Sequence, residues 1–187
     1  MRKVNWNDVQ DAPEFDNPIP GAYIAGICNI QDNEEKECLK IEWDFADGEY
    51  KGNNRETFDR AGFWPITLYR SYKPSALPYF KAFKTAVEES NPGYRFDEGN
   101  LSGLIGKRFG VILGEEEYKK NDGSVGTRLY VSATKSLRAI RDGDFKVPAK
   151  KTLEQKANGT SSSAAAAAQS FNSFSPLNDN TPLPWER

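Results

Sequence analysis

Histidine is absent from this chain, cysteine occurs twice and methionine once. Without histidine, the commonest general base and the commonest zinc ligand are missing together. Cys28 and Cys38 alone do not make a structural zinc site. They fall on segments read below as adjacent strands, and in a cytosolic chain they are expected as buried thiols rather than a disulfide. No apolar run is long enough to span a bilayer. The opening MRKVNWNDVQDAPEFDNPIP has two basic residues and no hydrophobic stretch behind them. No signal peptide is expected, and the cytoplasm is the expected compartment.

Catalytic patterns are equally scarce. No Ser, Cys or Lys sits in a nucleophile motif, and no Gly-rich phosphate loop follows a strand. KNDGSVG (120–126) reads as a hairpin turn. The densest acidic cluster is Glu115, Glu116 and Glu117. Strand neighbours point to opposite faces, so only Glu115 and Glu117 could converge on a metal. A solvated strand end is the reading, with no enzyme, metal or cofactor expected.

What is present is an uneven charge distribution. Net charge is −2, yet residues 1–50 hold 4 basic and 12 acidic side chains, while residues 51–150 hold 18 basic and 12 acidic ones. A positive surface is therefore compatible with an acidic total.

Periodicity predicts a mainly β domain over 1–150. Strands are expected at 21–30 and 37–45, where Leu39, Ile41, Trp43 and Phe45 alternate with Lys40, Glu42 and Asp44. A third is expected at 63–69, with Pro65 marking an edge or bulge. One helix is predicted in KPSALPYFKAFKTAVEESNPG, with Ser75 as N-cap and Pro78 in its first turn. Strands at about 107–117 and 127–137 follow. Five strands with a helix between the third and fourth is the order of the OB-fold, a partly open Greek-key barrel that binds oligonucleotides on strands 2–3 and flanking loops. Residues 151–187 are polar and rich in Ser, Ala and Asn, and are expected to be a disordered tail.

Single-strand binding needs cations for phosphates and exposed aromatic faces for bases. Arg55, Arg60, Arg70 and Lys73 surround the third strand, interleaved with Phe58, Phe63, Tyr69 and Tyr72. Lys107 and Arg108 open the fourth strand. Lys119 and Lys120 lie in the turn after it, and Arg128 and Tyr130 follow that turn. Trp43, Phe45 and Trp64 alternate with apolar residues and are read as core. Phe63, Tyr69 and Tyr130 fall on the opposite faces and are the stacking candidates. A protein-interaction adaptor on the same barrel, and an RNA-binding or strand-annealing protein, are the alternatives.

From PGAYIAGI through LKIEWDF, LIGKRFGV and RLYVSATKS, the chain resembles a family of phage-encoded single-stranded DNA-binding proteins. The likeness covers roughly 15–140. It rests on Pro20, Gly21 and Tyr23 at the first strand, the mid-chain helix, and Leu104-Ile105-Gly106-Lys107-Arg108. The resemblance implies an OB-fold that coats single-stranded DNA in phage replication and recombination, in the host bacterial cytoplasm. It implies no cofactor and a homo-oligomer. Many single-stranded DNA-binding proteins end in a short acidic tip that docks on replication and recombination partners. Asp179, Pro182, Leu183, Pro184 and Trp185 look similar, although Arg187 follows and acids are few.

Overall fold

In the computed structural model, which describes residues 17–154, strand alternation sorts the side chains as expected. Strand β1 (Gly21–Asn33) and strand β2 (Cys38–Phe45) form an antiparallel hairpin. Leu39, Ile41, Trp43 and Phe45 of β2 are all buried, and Lys40, Glu42 and Asp44 point the other way. β1 is long because it serves two neighbours. Its first residues, Gly21–Gly26, pair with β4 (Arg108–Lys119), and Ala25–Asn33 pair with β2. A bulge between Ile27 and Asn29 lies in the stretch paired with β2 and lets the strand bend.

The remaining elements are helix α1 (Asn53–Ala61), β3 (Thr67–Ser71), helix α2 (Leu77–Ser90), β5 (Val125–Lys135) and the short helix α3 (Leu137–Arg141). They complete one sheet in the order β3-β2-β1-β4-β5, with every neighbouring pair antiparallel. The sequence predicts a partly open OB-fold barrel; the five strands form one open antiparallel sheet that does not close. β3 and β5 are its two edges.

The core lies on the inner face. Ala25 and Ile27 of β1, the four apolar residues of β2, Leu68 of β3, and Phe109, Val111 and Leu113 of β4 pack together there. α2 adds Phe83 and Val87, and the Phe83 ring meets Phe109 edge-on at 5.4 Å. Each such side chain contributes roughly 1.5–3 kcal/mol by leaving water.

Three expectations need correction. The stretch from 53 to 61 is a helix that the strand pattern hid. Its i,i+4 pairs Arg55–Asp59 and Glu56–Arg60 suit a helix. Gly62 ends it in the left-handed conformation (φ 77°), donating to the Phe58 carbonyl at 2.8 Å. The third strand consequently starts at Thr67, after Pro65, rather than at 63. Ser75 does not cap α2. It lies inside a 3-10 turn, Pro74–Ala76, that leads into the helix.

The described chain also continues past 150 with its backbone paired. Lys151 N–H donates to the Glu115 carbonyl at 3.0 Å, and Glu117 N–H donates to the Lys151 carbonyl at 2.9 Å. This strap occupies the edge of β4 beyond Leu113, which pairs with Gly21, the first residue of β1. The domain boundary drawn at 150 falls inside it. Residues 155–187, most of the expected tail, lie outside the described residues. Among the described residues no helix is long and apolar enough to cross a membrane.

Candidate nucleic-acid interface

The outer face of β1–β2–β3 is built by register. Gln31, Lys40 and Tyr69 form one row across the three strands, and Asn29, Glu42 and Thr67 form the next. Lys40 Nζ lies 2.6 Å from Glu42 Oε1, and Asn29 Nδ2 donates to Glu42 Oε2 at 2.9 Å. Burial pushes the Glu42 carboxyl up, but hydrogen bonds from Lys40, Asn29 and Trp64 outweigh it and hold the pKa below the ordinary carboxylate value. Glu42 is therefore ionised at neutral pH and fixes Lys40 in the middle of the face.

α1 walls one end of this face. Asp44, at the end of β2, accepts from the backbone N–H of Asn54 at 3.0 Å, and Asn54 Nδ2 donates to the Trp43 carbonyl at 3.0 Å. These contacts lock the start of α1 onto β2. The helix then presents Phe58, whose ring stacks on Trp64 with centroids 5.3 Å apart and planes 17° apart. The Arg55 guanidinium lies 5.9 Å from the Phe58 centroid. Phe63 beside them is 58 % exposed. Trp64 was expected in the core. It is instead half-exposed, because it falls before β3 begins and its ring is held by Phe58 and Glu42.

The β1–β2 turn closes the other end. Ser71 Oγ and Tyr72 N–H both donate to the Glu37 carbonyl, at 3.0 Å each. Tyr72 is half-buried against the core, and its hydroxyl donates to Asp32 at 3.1 Å. Lys73 is exposed, 3.9 Å from Glu37. From the Cys38–Ser71 pair to the Glu42–Thr67 pair the face runs about 13 Å along the strands.

The predicted site residues thus separate. Arg55, Phe63, Tyr69 and Lys73 border or lie on the outer face. Arg60, on α1, pairs with Glu56 at 2.9 Å. Lys107 and Arg108 lie at the start of β4, with Lys107 Nζ 4.8 Å from the Tyr94 ring centre and Arg108 on the row Arg108–Gly26–Asp44 that reaches the end of β2. Lys119 and Lys120 are exposed at the β4–β5 turn. Arg128 bonds the buried Glu116 at 2.7 Å.

Two predicted residues do not present themselves outward. Arg70 is on the inner side of β3, opposite Leu39. Tyr130 is 6 % exposed, with Lys151 Nζ 4.1 Å from its ring centre. A Cβ on Gly114 would come within 2.8 Å of that ring and 2.7 Å of Pro148, so only glycine lets the ring and the strap approach so closely. Tyr130 is accordingly a packing residue, not an open stacking platform. Sequence reasoning missed Lys40, and it placed Trp64 on the wrong side. Lys40 was visible as the polar alternate between Leu39 and Ile41. Asp179, Pro182, Leu183, Pro184 and Trp185 lie outside the described residues.

The chain matches no protein-family model and no curated protein.

Proposed function

We propose that this protein binds single-stranded DNA with little sequence preference along the outer face of β2 and β3. The observation that carries the reading is the aromatic wall of Phe58, Phe63 and Trp64 beside Lys40, Tyr69 and Arg55. Aromatic faces accept any base, and nearby cations meet its phosphates. The strand order, with α2 between β3 and β4, also supports an OB-fold whose barrel is unsealed between β3 and β5. On this reading the protein coats single strands during phage replication and recombination, as a homo-oligomer. The tip around Trp185 then recruits partner proteins.

The test is binding to oligo-dT, duplex DNA and RNA of equal length across a salt series. Tighter binding to oligo-dT, weakening with a slope of roughly −0.7 per phosphate contact, is expected. No binding to oligo-dT at low salt sinks the proposal and leaves the adaptor reading. RNA bound as tightly as DNA moves the assignment to an RNA-binding or strand-annealing protein.

A further inference from the structure

β3, β5 and α2 meet around a cleft of about 320 Å³. Register brings two polar side chains to it from the two strands. Arg70 of β3 stands opposite Leu39, and Thr134 of β5 stands opposite Val111. Leu39 and Val111 are core residues. Both polar side chains therefore lie on the inner side of the sheet, where Tyr79 and Ala82 of α2 also line the cleft.

The protein satisfies neither of them. Arg70 Nη1 donates to the Tyr69 carbonyl at 3.0 Å, but its buried Nε has no hydrogen-bond partner among the described residues. Thr134 is 7 % exposed, and its Oγ1 lacks a partner as well. One carboxylate lines the cleft, Glu116, and it is bonded to Arg128 at 2.7 Å. Burial pushes the Arg70 pKa down to about 10, so the guanidinium stays charged at neutral pH. A desolvated charge without a counter-ion is strongly unfavourable.

An anion in the cleft removes both deficits. The Tyr69 carbonyl takes Nη1 and leaves the Nε–Nη2 edge of Arg70, a planar fork that matches two oxygens of an oxyanion. The Thr134 hydroxyl is a further donor. A carboxylate has only the two oxygens that the fork takes, whereas a phosphate has a third for the hydroxyl. The cleft is also roomier than a bare phosphate requires. Its volume falls at the lower end of small-molecule sites, roughly 300–1,000 Å³. Leu68, Ala76 and Val131 give it apolar walls beside Tyr79.

We propose that this cleft binds a small phosphate monoester, with Arg70 and Thr134 holding the phosphate and the organic part lying against Tyr79. The site is on the opposite side of the sheet from the proposed DNA face and does not rest on that reading.

Calorimetric titration of the full chain with inorganic phosphate and with thymidine monophosphate tests this. Thymidine monophosphate is expected to bind about tenfold more tightly, because only its organic part covers the apolar walls. Arg70→Lys keeps the charge but loses the fork, and should weaken binding by about tenfold or more. Thr134→Val removes only the hydroxyl and should weaken it severalfold, so the site is tested even if Arg70→Lys fails to fold. No binding of either compound in the millimolar range overturns the proposal and leaves the two donors to water. Equal binding by the native and Thr134→Val proteins overturns it too, by placing the anion elsewhere. So does displacement of thymidine monophosphate by oligo-dT, which assigns Arg70 to the phosphates of a strand.

Discussion

Lys40 and Tyr69 stand directly opposite each other across β2 and β3, on the face turned away from the core. The cation is held from one side by Glu42, so its position is set before any ligand arrives. A phosphate and an adjacent base could meet the two side chains together. Tyr69→Ala is expected to weaken oligo-dT binding by about 1–3 kcal/mol, the value of one stacked base. A thermal melt of the variant should match the native protein within a few degrees. Unchanged affinity in fluorescence titration would place the bases elsewhere.

The aromatic wall makes a sharper comparison. Phe63→Ala should weaken single-strand binding without loss of fold, because Phe63 is mostly exposed. Trp43→Ala should destabilise the domain by about 3–5 kcal/mol, because Trp43 is fully buried against Phe45 and neighbouring core residues. Urea unfolding and titration of both variants separate the roles. A normally stable Trp43→Ala protein with weakened binding would reverse the assignment of faces on β2.

Acid should loosen the outer face. The folded-state pKa of Glu42 lies below its ordinary value of 4.5. The stability it contributes is therefore full above about pH 4.5 and is lost as pH falls through the lower folded value. Asp44 acts in the opposite sense, since burial raises its pKa despite the N–H groups of Asn54, Phe45 and Arg55. Glu42→Gln should be less stable than the native chain at neutral pH, and the difference should shrink below pH 4. Urea midpoints measured from pH 3 to 7 check this, and parallel curves for the two proteins would refute it.

The strap after α3 gives a truncation test. A chain ending at Glu154 keeps the two backbone bonds of Lys151 and its contact with the Tyr130 ring. A chain ending at Lys150 loses both bonds, and about 1–3 kcal/mol of stability with them. Equal melting temperatures would mean that the strap adds nothing. Both chains should still bind oligo-dT if the outer face is the interface.

Much of this organisation was legible in the residues. The alternation of Leu39, Ile41, Trp43 and Phe45 identified the buried face of β2, because a strand has a period of two and water enforces it. Leu77, Phe80, Phe83 or Lys84, and Val87 recur at helical spacing in α2; of these Phe83 and Val87 are fully buried, Phe80 is partly buried, and Leu77 is exposed. α1 was hidden because its own apolar pattern is weak and it lies against the aromatic residues that precede β3. Trp64 looked like core because alternation with Ile66 and Leu68 was extended across Pro65, where no strand exists.

The remaining properties needed the tertiary structure. The absence of histidine, which leaves histidine-based chemistry no residue to carry it, was legible without any coordinates. Nothing local distinguishes Arg70 from Arg55, yet β2–β3 pairing turns one inward beside Leu68 and leaves the other on the surface of α1. Tyr130 alternates like an exposed residue and is buried where the strap carrying Pro148 and Lys151 returns along β4. The alternating pattern of each strand is a short-range property of the chain. Which neighbour covers that face, and whether the sheet closes, depends on contacts between residues far apart in sequence.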